Sequence, residues 1–202
     1  AENNIAIGEN ALNSTTGDSD FNIGIGTNAL TALTTGDNNT VIGYQAGLVM
    51  TDNELNVVIG STAFDAADAG ENRNVVIGAL AGSAVNHGDS DNNVIIGYTA
   101  GLGGTNSLIE CVVIGSNAMK TTGDSNSQTG TIAIGSSALS ALTSGARNLA
   151  LGYQTADALT VGDDNMAIGY QAMSALSTTD GSDKNIAIGN YAMDGVSALA
   201  AT

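Results

Sequence analysis

Apolar residues in this chain recur in a short block, apolar–small–Ile–Gly, with polar stretches between the copies. The block ends at Gly8, Gly26, Gly43, Gly60, Gly78, Gly97, Gly115, Gly135, Gly152, Gly169 and Gly189, so eleven copies stand 17 to 20 residues apart. Counting each copy from its Gly turns the sequence into columns. Column −1 is Ile in ten copies and Leu151 in the other; column −3 is a large apolar residue in ten, with Thr40 the exception. Column −2 is Ala, Val, Ile or Gly, as at Ala6, Val58 and Ala133. Side chains alternate across a strand, so −3 and −1 share one face and −2 takes the other. Two apolar faces predict a strand covered on both sides. The expected arrangement puts −3 and −1 in the core of a coil and the smaller −2 column against a neighbouring copy. On that expectation Asp at Ala133 and Ala167 breaks the assembly, and Ile134→Ala costs roughly 2–5 kcal/mol.

Other columns carry the rest of the coil. Column −4 is Asn in nine copies: Asn4, Asn22, Asn39, Asn56, Asn74, Asn93, Asn148, Asn165 and Asn185. Stacked amides hydrogen-bond along a stack, which predicts a structural ladder. Cys111 and Thr131 fill the two remaining places, and Cys111 reads as a structural substitute. Column +3 is Ala in ten copies, often followed by Leu or Met, with a further apolar residue at Leu33, Leu142, Leu159 and Leu176. That spacing predicts a short helical turn or a second short strand. Gly-Asp and Asp-Asn clusters then mark polar return loops. A single coil cannot bury its apolar stripe, whereas stacked coils bury it continuously. The fold class is therefore mainly β: a parallel β-solenoid of about eleven coils, each with one main strand, forming one domain over residues 1–202. The outermost copies have no distinct capping pattern, from which a piece of a longer fibre is expected.

Composition narrows the partners. Acidic residues outnumber basic ones 20 to 4, for a net charge of −16, which disfavours nucleic acid, since phosphate binding draws on clustered Lys and Arg. No apolar run is long enough for a membrane-spanning helix, and the first residues have neither the basic nor the apolar region of a signal peptide. The single Cys rules out an intrachain disulfide framework.

The segments Asn-Ile-Ala-Ile-Gly-Glu-Asn-Ala-Leu from Asn4 to Leu12 and Met-Ala-Ile-Gly-Tyr-Gln-Ala-Met from Met166 to Met173 resemble the Ala-Ile-Gly coils of trimeric autotransporter adhesin heads. They are also similar to the Ala-Ile-Gly-Tyr-Gln-Ala repeats of phage tail fibres and large surface proteins. The resemblance covers nearly the whole chain. It implies a left-handed parallel β-roll or related solenoid, a homotrimer, an extracellular position on a cell or virion, and attachment to a host or surface. It transfers no catalytic residues. Adhesin-head coils are shorter than the 17 to 20 residues here, so the return path differs.

Candidate chemistry is sparse. The one His, His87, stands in a return loop, and no nucleophile elbow precedes a helix, so no enzyme activity and no catalytic residue is expected. Tyr44, Tyr98, Tyr153 and Tyr170 follow the repeat Gly, three of them paired with Gln45, Gln154 and Gln171, and are candidate glycan contacts. Asp18, Asp20, Asp89, Asp91, Asp163 and Asp164 are weak candidates for calcium, with turn formation the simpler reading and no metal or other cofactor expected. The expected function is a structural or adhesive shaft or head of an extracellular fibre, self-associated as a trimer, with a cell-surface glycan or protein as partner and no membrane insertion. The alternative is a monomeric ice-binding or calcium-binding secreted solenoid; the Thr pairs fall in loops of only some coils, which counts against ice.

Overall fold

The computed structural model describes residues 3–15, 19–104, 106–121, 128–176 and 182–195. Strands β1 (Ile5–Ile7), β2 (Ile23–Ile25), β3 (Thr40–Ile42), β4 (Val57–Ile59), β5 (Val75–Ile77), β6 (Val94–Ile96), β8 (Val112–Ile114), β10 (Ile132–Ile134), β11 (Leu149–Leu151), β12 (Met166–Ile168) and β13 (Ile186–Ile188) form one 11-stranded sheet in chain order. β7 (Leu108–Ile109) and β9 (Gln128–Thr129) form a separate parallel pair. Every pairing is parallel and keeps the sequence columns in register, as in Val58 opposite Val76 and Val76 opposite Ile95. The molecule is an all-β solenoid, and each strand with its loops is one rung, numbered here from one to eleven in the order of the repeat glycines.

The two faces of the sheet are the reverse of the expected ones. Column −2 lines the interior: Val41, Val58, Val76, Ile95, Val113 and Ala133 are at most 1% exposed. Columns −3 and −1 point outward and are half-buried along the middle of the sheet. At the ends they are open, with Ile5 49%, Ile7 58%, Ile186 67% and Ile188 65% exposed. The physical reason lies across the coil. Ala at +3 and large residues at +4 and further on, such as Leu30, Leu33, Phe64, Leu139 and Met173, are fully buried and fill the interior, leaving space on the strand side for Val or Ala. Where a larger residue enters, space opens elsewhere: a Cβ on Gly101 would stand 3.1 Å from Ile95.

After each corner the chain makes neither a helix nor, beyond β7 and β9, a second strand among the described residues. It makes a turn in which +2 and +4 adopt left-handed backbone, for example Thr62 (φ 49) and Phe64 (φ 52). Such a pair cannot continue a right-handed helix. It aims two alternate N–H groups at opposite neighbours, while the +3 N–H between them turns back to the corner Gly carbonyl. Thr62 N–H donates to the Tyr44 carbonyl of the rung before (2.8 Å), and Phe64 N–H donates to the Ala81 carbonyl of the rung after (2.9 Å). Column −5 is left-handed too, at Phe21, Leu55, Arg73 and Lys184 among others. Left-handed L-residues cost about 1–3 kcal/mol each, and the stack of inter-rung hydrogen bonds is what holds them. The corner Gly is required by close approach: at Gly60 (φ +147) a Cβ would lie 2.3 Å from the Gly78 carbonyl oxygen.

Candidate functional site

The Asn column stands on the inside of the coil, next to β1 to β13. Asn22, Asn39, Asn56, Asn74, Asn93, Asn148 and Asn165 are at most 3% exposed. Each of these Asn Oδ1 atoms accepts the backbone N–H of the residue in the same column one rung on, as in Asn39 to Asn56 (3.0 Å) and Asn56 to Asn74 (2.9 Å). Each Nδ2 donates to a return-loop carbonyl of the following rung: Asn22 to Gly36 (2.8 Å), Asn56 to Glu71 (2.9 Å), Asn148 to Gly162 (2.7 Å). Asn4 and Asn185 extend the ladder at its two ends. Cys111 N–H donates to Asn93 Oδ1, and its Sγ lies 3.4 Å from the Gln128 carbonyl, the loop position that an Asn amide would reach. Burial pushes the Cys111 thiol up, so it is not poised as a nucleophile.

The candidate glycan contacts separate into two groups. Tyr153 and Tyr170 stack on each other with centroids 5.6 Å apart and planes 7° apart, and Tyr191 meets Tyr170 edge-on at 5.2 Å. Gln171 Nε2 donates to Gln154 Oε1 (3.0 Å). These aromatic and amide groups face one another along the stack, so two ring faces are already covered. Tyr44 and Tyr98, 52% and 56% exposed, stand on rungs three and six without a ring neighbour among the described residues. Gln45 is half-buried at a left-handed position, φ 53, and its N–H donates to Thr27.

The acidic loops form a ladder of their own. Asp37 Oδ1 accepts the Asp20 N–H, Asp91 Oδ1 accepts the Asn72 N–H, Asp163 Oδ1 accepts the Ala146 N–H, and Asp183 Oδ1 accepts the Asp163 N–H, all at 2.6–2.8 Å. The outer oxygens meet guanidinium groups: Arg73 binds Asp91, and Arg147 binds Asp164 through two bonds of 2.6 and 3.0 Å. The Arg147 hydrogen bonds hold the Asp164 carboxyl below the usual range. Asp89 is exposed beside His87, whose Nδ1 accepts its N–H (3.3 Å). Asp18 lies outside the described residues. Among those described, no three His, Cys, Asp or Glu side chains come together as a metal site.

Two features escape column reading. An outer polar column at +2 links Asn10 to Asn28, Thr99 to Asn117 and Gln171 to Gln154; its amide-rich composition was the available signal. Glu71 is fully buried, Oε2 accepting from Asn53 Nδ2 (2.8 Å) and Oε1 left without a partner. In sequence it looks like any other loop acid. No family model matches the chain, and no match was found among curated proteins or solved structures.

Proposed function

We propose that this chain forms the shaft or head of an extracellular fibre, of the phage tail-fibre or bacterial adhesin kind, which extends and presents a surface for attachment to a host or substrate. The observation that carries this reading is the unbroken sheet: eleven strands in one register, with each rung bonded to the next by repeated strand and turn contacts. At about 4.8 Å per rung this is a rod on the order of 50 Å long, a geometry suited to reach rather than to enclosing a reaction. The acidic loops favour solubility over nucleic-acid contact. Several copies, three by resemblance, make up the fibre. The ice-binding alternative finds little support, since the outer sheet face offers Thr40 alone among apolar residues.

The test pairs small-angle scattering with glycan-array and cell-surface binding of the labelled chain. The expected result is a rod whose cross-section holds more than one copy and which binds a surface saturably. A globular scattering curve overturns the fibre reading; a rod that binds no glycan or cell surface overturns its adhesive half.

A further inference from the structure

The outer sheet face joins two facts. It is continuous from rung one to rung eleven, and it bears no charged side chain in either column. Column −1 is Ile or Leu throughout; column −3 is aliphatic or Met apart from Thr40. The interior is already filled by column −2, so nothing within the described coil covers this face. Two columns one strand-repeat apart, over a length on the order of 50 Å, present roughly 700 Å² of apolar surface. That is close to the ~800 Å² per partner of a standard specific interface, and larger than the patches monomers leave open.

We infer that this face is where copies of the chain meet. The inference rests on the reading of the chain as part of a multi-copy fibre, and it assigns the contact to columns −3 and −1 rather than to −2. A second copy is the occupant because it alone is known to repeat the same apolar ridge at the same rise, rung for rung. An unrelated partner would have to match eleven rungs without one charge or side-chain amide to set its register. Charge points the same way. The chain carries −16, with most of its carboxylates in the return loops. Contact through the loops sets like charges together, whereas contact through the outer sheet does not.

The test measures native mass by light scattering for the full chain, for Ile59→Lys with Ile114→Lys, and for Tyr98→Lys as a control off the face. The expected result is a wild-type mass at a multiple of 20.0 kDa, retained by the Tyr98 variant. The double Lys variant falls two-fold or more to the monomer with its circular dichroism unchanged. A second experiment covers the case in which the Lys pair misfolds. Ile96→Cys, on the central rung, forms an interchain disulfide on mild oxidation, while Cys111 stays shielded. Ile42→Cys, on rung three, crosslinks to itself when the copies run parallel; when they run antiparallel it crosslinks only to a chain carrying Leu151→Cys. A wild-type multimer unmoved by the Lys pair, or uncrosslinked at Ile96, overturns the face alone. A wild-type monomer at about 100 μM overturns both the face and the multi-copy fibre.

Discussion

Replacing Glu71 by Gln tests how the interior handles charge. Glu71 sits at −7 on rung five, fully buried, with one carboxyl oxygen bonded to Asn53 and the other unpartnered. Burial is the largest influence and raises its pKa; the Glu71 N–H, the Asn53 amide and the His87 N–H oppose it, and Asp68 adds to it. The result is a pKa lifted from 4.5 to about 7. The folded chain therefore holds a proton that the unfolded chain has released between those two values. The protonated state keeps its full stability below about pH 4.5, and stability declines as pH rises until it levels off above about 7. The rise from 4.5 to about 7 corresponds to a loss of at most roughly 3–4 kcal/mol. Gln removes the titration and is compatible with the site, since Gln128 occupies the same column on rung eight, buried, with Nε2 donating to the Thr143 carbonyl (2.9 Å). Urea denaturation of wild type and Glu71→Gln at pH 4, 5, 6, 7 and 8 isolates this one group, because Asp65 and Asp157, also pushed up by burial, are common to both chains. The variant gains on the wild type across this range and is the more stable chain at pH 8. Parallel stability curves for the two chains would refute the assignment of a protonated, buried Glu71.

Further outcomes follow from packing and hydrogen bonding. Leu142→Ala, fully buried, costs about 2–5 kcal/mol, while Ile134→Ala on the outer face of the isolated chain costs under about 1.5 kcal/mol; chemical denaturation of the monomer compares them. Asn56→Ala leaves the Asn74 N–H without its acceptor and the Glu71 carbonyl with only the longer bond from Asn53 (3.3 Å), and costs about 1–3 kcal/mol, whereas Cys111→Asn extends the amide ladder and gains about 0.5–1 kcal/mol in the same assay. Gly60→Ala destabilises by at least about 2 kcal/mol through the approach of the Gly78 carbonyl, and Gly189→Ala, with nothing within 4 Å of the added carbon, costs less.

The architecture was legible because the strand carries a column pattern that no other element shares. Asn at −4, Ile at −1 and Gly at the corner each answer to one repeated contact, so counting from Gly189 back to Gly8 yields the register of the eleven strands of the main sheet, but not the β7–β9 pair. The sidedness of the strand was not legible. Both faces are apolar, and size alone suggests that Ile belongs inside; the interior of so thin a coil is in fact filled from the opposite wall by Leu30, Phe64 and Leu139, which leaves room for Val or Ala. The turn after the corner was misread for a similar reason. The i, i+3 apolar spacing of Leu30 and Leu33 mimics a helical turn, but residues at +2 and +4 such as Asn28 and Leu30 are left-handed in response to bonds with other rungs. Of the candidate contacts, the Asn ladder follows from composition, whereas the stacking of Tyr153 on Tyr170 depends on ring orientation, which a column of letters does not contain.

The direction of the hydrogen bonds has a mechanical consequence. In this stack they lie along the rod, so a pull on the two ends of a chain loads one rung at a time instead of shearing a whole sheet. Each rung that peels away releases 17 to 20 residues. That is about 60 Å of slack, more than ten times the ~4.8 Å of rod it replaces. Under load such a chain would lengthen by a series of small, nearly equal yields and dissipate force at each one, and relaxation would let the rungs rewind from the stack that remains.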